Sequence, residues 1–316
     1  MLLITNLITV QAGELIMRRT LPALAIVAIT SLALAGCSAT SAPESMGVSI
    51  VATTTVYGDI AQTIVGDFGT VTSLIGDSTV DPHSFEASAR DQLAIADADL
   101  VIANGGGYDP FVEALVEASG TDAVVLDAVT VSGLSATTEP VDGFNEHVWY
   151  SFPGMTGVVA RIADELSMID PENAATFATN ATALTAQIGD LETRAAAMKE
   201  EANGGGAAVT EPVPLYLLEA VGLENRTPDD FTEAIEEGSD VPPLAFEQTI
   251  DLFTGGDLRI LGYNEQTASP ETARVRQAAE SADVPVVAFT ETLPEGADYV
   301  SWMTDNLDEL ARALRL

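Results

Sequence analysis

The chain has 316 residues, of which 48 are acidic and 12 are basic, and its formal net charge is −36. A surface this acidic repels phosphate backbones and excludes nucleic acid as a partner. The only cysteine, Cys37, lies near the N-terminus, so we expect neither a disulfide nor a thiolate metal site in the folded part. Spread acidic charge is typical of solubility or salt adaptation and does not by itself indicate cation binding.

The N-terminal segment has the pattern of a secretory signal. Arg18 and Arg19 precede an apolar run over residues 21–34, and small residues follow the run. A charged start, a short apolar stretch and small residues before a cleavage point define such a signal. The apolar run is too short and too early for a membrane span. We therefore expect a signal peptide over residues 1–36, of which residues 1–16 are an upstream mis-start.

The end of this segment predicts a lipid anchor. The motif Leu34-Ala35-Gly36-Cys37 matches the bacterial lipobox, in which the cysteine becomes the acylated first residue of the mature protein. Residues 38–47 are small and polar and include a proline, which suits a flexible tether. We expect an extracytoplasmic lipoprotein, at the cell surface or in the periplasm, held at the membrane through Cys37.

Short apolar runs alternate with helical patterns after the tether. The predicted strands are Val48–Thr54, Val71–Ile75, Leu100–Ala103 and Ala123–Leu126. The predicted helices between them are Gly58–Val65, Ala87–Ala96 and Pro110–Ala118. Strand, helix and strand at this spacing indicate βαβ units and a mainly parallel sheet. We expect an N-terminal α/β lobe over residues 48–154.

The alternation stops at residue 155, and no strand is predicted before residue 204. Asp170-Pro171-Glu172 has the pattern of a helix start, with the proline at the first helical position. Helix-forming residues continue to Lys199, and three glycines follow at 204–206. A helix of nearly thirty residues is about 40 Å long. We expect residues 155–203 to be linker helices that include this long, rigid helix.

The alternation returns in the C-terminal part of the chain. The predicted strands there are Ala207–Thr210, Leu258–Gly262 and Val286–Phe289. Thr227-Pro228-Asp229 and Ser269-Pro270-Glu271 have the pattern of helix starts. We expect a second α/β lobe over residues 204–316. The predicted fold class is therefore α/β, with two lobes, each a mainly parallel sheet flanked by helices, joined by one long rigid helix.

The chain contains only two histidines, His83 and His147. Both lie in loop patterns of the first lobe, Asp81-Pro82-His83 and Asn145-Glu146-His147. A lone histidine is usually a surface residue or a satisfied core residue. Two of them in such loops favour a metal site instead, because neutral imidazole is the commonest nitrogen ligand of first-row metals.

Two acids of the second lobe directly follow predicted strands. Glu211 comes after Ala207–Thr210, and Glu291 follows Val286–Phe289 with one residue between them. Ligands of open α/β sheets bind outside the carboxyl ends of the strands, where both carboxylates should project. Each acid alone is more simply a helix-start acid or a solvated side chain. Together with the two histidines they complete a four-ligand set, two from each lobe.

A series of motifs containing these residues resembles the metal-binding lipoproteins of zinc and manganese ABC importers, the cluster A-I (ZnuA/TroA-like) solute-binding proteins. The resemblance covers nearly all of residues 48–316. The motifs are Val51-Ala52-Thr53-Thr54, Gly58-Asp59-Ile60, Asp81-Pro82-His83, Ala96-Asp97-Ala98-Asp99-Leu100-Val101, Glu146-His147-Val148-Trp149, Asp170-Pro171-Glu172-Asn173-Ala174, and Thr210-Glu211 followed by Tyr216 and Gly222.

The resemblance implies four metal ligands, His83, His147, Glu211 and Glu291. Glu211 falls where the family has histidine or glutamate, Glu291 where it usually has aspartate, and Glu146 where most members have proline. The resemblance also implies a monomer that captures one Zn²⁺ or Mn²⁺, or Fe²⁺, for an ABC permease and its ATPase subunit. Two imidazoles and two carboxylates favour Mn²⁺ or Fe²⁺, whereas the affinity order favours Zn²⁺, so the sequence leaves the metal open.

Two other functions are compatible with such a ligand set. One is a two-histidine, one-carboxylate iron oxygenase or a metallohydrolase. Four protein ligands leave no position for a catalytic water, and an oxygenase of that type would normally show many short strands. We therefore predict a binding protein and not an enzyme. The other is a surface lipoprotein that serves as an adhesin or a metal buffer without a transporter.

Overall fold

The computed structural model describes residues 47–77, 81–135, 137, 141 and 143–316. The predicted signal peptide, the lipid anchor at Cys37 and all but the last residue of the tether lie outside these residues. Within the described ranges, none of the helices combines the length and the apolar character that a bilayer span requires.

In the part of the chain that the structure describes, eight strands form two separate four-stranded sheets. The strands of the first sheet are β1 (Val48–Thr54), β2 (Gly69–Ile75), β3 (Leu100–Ala103) and β4 (Val124–Asp127). Those of the second sheet are β5 (Gly206–Val209), β6 (Glu224–Asn225), β7 (Leu258–Asn264) and β8 (Val286–Phe289). Every strand pair in both sheets is parallel, which confirms the predicted mainly parallel sheets.

Helices connect the strands and cover the sheets. Those that accompany the first sheet are α1 (Thr55–Val65), α2 (Ala89–Ala96), α3 (Phe111–Ser119) and α4 (Ala128–Ser132). Two longer helices follow, α5 (Phe152–Ile169) and α6 (Ala174–Ala202). Those that accompany the second sheet are α7 (Leu215–Ala220), α8 (Asp229–Glu236), α9 (Pro243–Leu252), α10 (Pro270–Ser281) and α11 (Tyr299–Leu314).

The two sheets have the same topology. The strand order is β2-β1-β3-β4 in the first and β6-β5-β7-β8 in the second. The order changes direction between β1 and β3 and again between β5 and β7, and such a switch point opens a crevice at the carboxyl ends of the strands. Central strands such as β3 and β5 are buried along their whole length, because helices cover both faces of a parallel sheet. Each sheet can therefore position ligand-binding side chains at the carboxyl ends of its strands.

The long helix α6 begins three residues later than the sequence pattern predicts. Pro171 does not open it, because Asp170 ends α5, and a residue before proline disfavours the helical conformation. The intervening residues form a turn in which the Asn173 amide donates to the carboxylate of Asp170 at 2.6 Å. The predicted start of α10 is confirmed, since Ser269 caps it and Pro270 is its first residue.

One apolar cluster runs through both halves of the molecule. It includes Ile50 on β1, Leu184 on α6, Phe289 on β8 and Leu307 on α11. Polar contacts accompany it, since the Tyr150 hydroxyl donates to the Thr290 carbonyl at 2.8 Å. The two sheets are therefore packed onto a shared core, with α6 in contact with helices of both halves.

Candidate metal centre

His83 lies in a single 3-10 turn, Pro82–Ser84, in the loop that follows β2. The carboxylate of Asp81 accepts from the His83 backbone N–H at 2.9 Å and closes the turn. The ring of Tyr108 stands edge-on to the imidazole, with 4.8 Å between the ring centres. These contacts fix the ring while its Nε2 faces His147 and two carboxylates.

His147 is fully buried and its tautomer is set by Asn145. The Asn145 side-chain oxygen accepts from the His147 backbone N–H at 3.1 Å and lies 2.8 Å from the ring Nδ1. An amide oxygen can only accept, so Nδ1 carries the proton and Nε2 is left as a ligand atom. Asn145 also reaches the second half of the chain, because its amide donates to the Pro212 carbonyl at 3.0 Å.

Glu291 follows β8 and is also fully buried. Its Oε1 accepts from the side-chain amide of Asn264, the last residue of β7, at 2.8 Å. Its backbone N–H donates to the side-chain oxygen of Gln266 at 2.6 Å. With one oxygen held in this way, the other, Oε2, lies 3.6 Å from Nε2 of both His83 and His147.

Glu211 lies beside this group, with one residue between it and the end of β5, and is 1% exposed. Its Oε2 accepts from the Thr267 hydroxyl, and its charge interacts with those of Glu291 and His147. The structure brings the ligand atoms of His83, His147 and Glu291 within 4.8 Å of one another, and Glu211 is not in that group. The structure therefore brings together three of the four predicted ligands, His83, His147 and Glu291, and places Glu211 next to them.

Glu236, at the end of α8, was missed by the sequence analysis. Its Oε1 lies 3.5 Å from His147 Nε2 and 3.9 Å from His83 Nε2. With His83 and Glu146 it forms a second group of ligand atoms within 4.8 Å of one another. The sequence signal that could have indicated it is weak: acids at 236 and 237 occupy the C-terminal end of a helix, where the helix dipole disfavours them.

Five buried side-chain atoms of this centre have no hydrogen-bond partner within the described part of the chain. They are Nε2 of His83, Nε2 of His147, Oε1 of Glu211, Oε1 of Glu236 and Oε2 of Glu291. Buried polar atoms are almost always hydrogen-bonded, so a convergent group of exceptions needs a cause. Two imidazole nitrogens and three carboxylate oxygens are the donor atoms that a divalent first-row metal binds.

The groups of the centre shift one another's proton affinities. Burial alone would lower the pKa of His147, but the contact with Glu291 and the charges of Glu236 and Glu146 raise it to about 9. Burial alone would raise the pKa of Glu291, but the contact with His147 and the charges of both histidines hold it below its usual value. Burial raises the pKa of Glu211 to about 7, and the charge of Glu291 adds to this shift. Burial also raises the pKa of Glu236.

Comparison with known proteins places the chain in one family. The sequence profile of the family "Zinc-uptake complex component A periplasmic" (ZnuA) matches residues 50–313. The manganese-binding lipoprotein MntA of Halalkalibacterium halodurans is 26% identical over 300 residues, which cover 92% of this chain and 97% of the relative. The manganese ABC transporter substrate-binding lipoprotein ScaA of Streptococcus gordonii is 25% identical, with the same coverage of both chains.

A solved structure shares the fold. The SBP FpvC of Pseudomonas aeruginosa in complex with Mn²⁺ superposes with a TM-score of 0.70 at 25% identity, covering 85% of this chain and 98% of FpvC. The family profile spans most of the chain. ScaA is named as the substrate-binding lipoprotein of an ABC transporter and MntA as a manganese-binding lipoprotein, and neither is named as an enzyme. The chain therefore belongs to the ZnuA family, the metal-binding solute-binding proteins of ABC transporters, as its sequence motifs predicted.

Proposed function

We propose that this chain captures one divalent transition-metal ion, Mn²⁺ or Zn²⁺, through His83, His147, Glu211 and Glu291, and delivers it to an ABC importer. The observation that carries the proposal is the convergence of unpartnered imidazole and carboxylate atoms at the strand ends of both sheets. The names of the relatives, which are manganese-binding and substrate-binding lipoproteins, support a metal as the solute.

The spacing of the ligand atoms suits an ion of this size. An ion about 2.1 Å from its ligands separates neighbouring ligand atoms by about 3.0 Å in an octahedral site and about 3.4 Å in a tetrahedral one. The two histidine nitrogens lie 3.6 Å from the Glu291 oxygen. A contraction of a few tenths of an ångström around the ion would bring these nitrogens to the tetrahedral spacing from the Glu291 oxygen.

The ligand set supports capture without catalysis. Four protein ligands fill a tetrahedral shell, whereas catalytic sites keep one position for water. Imidazole suits zinc and ferrous iron, and carboxylate suits manganese, so the set accommodates each of these ions. We favour Mn²⁺ as the physiological ion, because two imidazoles and two carboxylates form a harder site than three histidines do.

The partners follow from the family. Binding components of ABC transporters act with a permease and its ATPase subunit. We propose that the mature chain is an extracytoplasmic monomer, held beside its permease by a lipid on Cys37.

Saturating metal is expected to raise the melting temperature strongly. An ion at 1,000 times its dissociation constant stabilises the fold by about 4 kcal/mol, which corresponds to about 10 °C for a chain of this size. Thermal unfolding with and without Mn²⁺ or Zn²⁺, after treatment with a chelator, measures the shift. Mg²⁺ should have little effect, because it keeps a hydrated octahedral oxygen shell. An equal shift with Mg²⁺ would assign the effect to the acidic surface and refute the proposed site.

The lipid anchor is tested by Cys37→Ser. The serine variant cannot be acylated at this position, so we expect it in the medium or periplasm instead of the membrane fraction. Fractionation followed by immunoblotting measures the change, with the wild-type chain as the control. If Cys37→Ser stays with the membrane through high-salt washing, the protein is not held there by this lipid.

A further inference from the structure

Glu236 occupies the open side of the candidate metal centre. It lines a cleft together with Asp81, His83 and Glu146. Its side chain is 13% exposed, whereas that of Glu291 is 0% exposed. The two imidazole nitrogens therefore have one carboxylate on the interior side, from Glu291, and one on the cleft side, from Glu236.

The position of Glu236 is unfavourable for a carboxylate that binds nothing. It is the last residue of α8, where the helix carbonyls carry partial negative charge. The ion pairs recorded for it within the described residues are with His83 and His147 alone. Its Oε1 is buried and has no hydrogen-bond partner among the described residues. A buried, unpartnered carboxylate at the end of a helix, facing the nitrogens of two metal-ligand histidines, indicates that Glu236 also binds the metal.

The helix that carries Glu236 is held firmly. Phe231 and Ile235 of α8 are buried in an apolar cluster under the second sheet, and the Phe231 ring packs on that of Phe246 at 6.4 Å. Glu236 follows Ile235 directly, so the packing of α8 sets where its carboxylate can reach. The packed backbone of α8 therefore places the Glu236 carboxylate 3.5 and 3.9 Å from the two histidine nitrogens.

We infer that Glu236 is a further ligand of the captured ion, binding from the cleft side as the fifth protein ligand of an ion with more than four coordination positions. This rests on the proposed function, and it makes the full donor set two imidazoles and three carboxylates. Zinc in closed sites takes four ligands, whereas carboxylate-rich sites of higher coordination number suit Mn²⁺. Glu236 thereby favours Mn²⁺ over Zn²⁺ and keeps solvent away from the bound ion.

The test compares Glu236→Gln with Glu237→Gln. Both variants remove one carboxyl group from the cleft, but Glu237 is exposed and follows the end of α8. Affinities for Mn²⁺ and Zn²⁺ are measured by competition with a chelator. The water-proton relaxation rate of the Mn²⁺-loaded protein reports whether water is bound to the ion. We expect Glu236→Gln to weaken Mn²⁺ binding at least tenfold, to weaken Zn²⁺ binding less, and to raise the relaxation rate.

Glu237→Gln should leave all three quantities at their wild-type values. Wild-type Mn²⁺ affinity and relaxation in Glu236→Gln would overturn the inference, as would an equal loss of affinity in both variants, which would assign the effect to the charge of the cleft. Failure of the proposed function would look different, because the wild-type chain itself would then show no metal-dependent melting.

Discussion

Replacement of Glu291 by glutamine is expected to lower the affinity for Mn²⁺ more than about 100-fold, since loss of a group that only supports a ligand already costs 10- to 100-fold. The carboxylate of Glu291 faces both histidines from the fully buried side of the site. Glutamine keeps the size of the side chain and the contact with Asn264, but it presents a neutral amide to the ion. Competition with a chromophoric chelator measures the loss.

Glu295→Gln is the matched control. Glu295 lies four residues further along the same loop and is exposed, so its charge is removed without a change in the site. Metal-free Glu291→Gln should melt as a folded protein, which separates loss of a ligand from loss of structure. Wild-type affinity in Glu291→Gln would mean that another acid of the second half supplies this ligand.

The affinity for metal is expected to rise steeply with pH up to about pH 9. His147 must lose its proton before Nε2 can bind an ion, and its pKa is raised to about 9. Each proton displaced makes the affinity about tenfold higher per pH unit, so one proton gives about 100-fold between pH 6 and pH 8. Glu211, with its pKa raised to about 7, adds a second proton at the lower end of this range.

The raised pKa of His147 predicts that the metal-free protein becomes less stable as the pH rises, whereas the affinity for metal increases. A histidine whose folded pKa exceeds its unfolded value of about 6.5 stabilises the fold below that value and loses the effect as pH rises through the folded pKa. Glu211 and Glu236 also have raised pKa values. Their contributions to the stability of the fold are likewise lost as the pH rises above about 4.5, the usual pKa of a glutamate. The melting temperature of the metal-free protein should therefore fall between pH 6 and pH 9.

Two measurements check these trends. Titrations at pH 6, 7, 8 and 9, in buffers of different ionisation heat, give both the affinity and the number of protons released. Melting curves of chelator-treated and Mn²⁺-loaded protein at the same pH values give the stabilities. An affinity that does not change between pH 6.5 and pH 9 would show that His147 is already neutral in the folded protein.

The sequence was sufficient to predict the fold because local patterns encode it. β1 and β8 have the predicted bounds, Val48–Thr54 and Val286–Phe289, since buried strands of a parallel sheet are short apolar runs with clear ends. The two-residue strand β6, Glu224–Asn225, contains no apolar residue and was not predicted. The start of α6 was predicted wrongly because a helix-start pattern and a turn after a helix share the same residues, Asp170-Pro171-Glu172.

The candidate centre was predictable only in part. His83 and His147 were informative because they are the only histidines in the chain, and Glu291 could be found from its place after a strand. Glu236 is one of 48 acids and lies within a helix. It reaches the histidines because α8 packs on the second sheet, and such a contact between distant segments leaves no local pattern in the sequence.

The shared apolar core has a consequence for the way in which a permease recognises this protein. Because Ile50 on β1, Leu184 on α6 and Phe289 on β8 belong to one cluster, the sheets cannot swing apart without bringing apolar surface into water. Each 100 Å² exposed in that way would cost about 2.5 kcal/mol. A wide separation of the two sheets on release of the ion is therefore disfavoured. We expect a permease that distinguishes the loaded from the empty protein to contact the loops around His83 and Glu236, where a bound ion would change the surface charge.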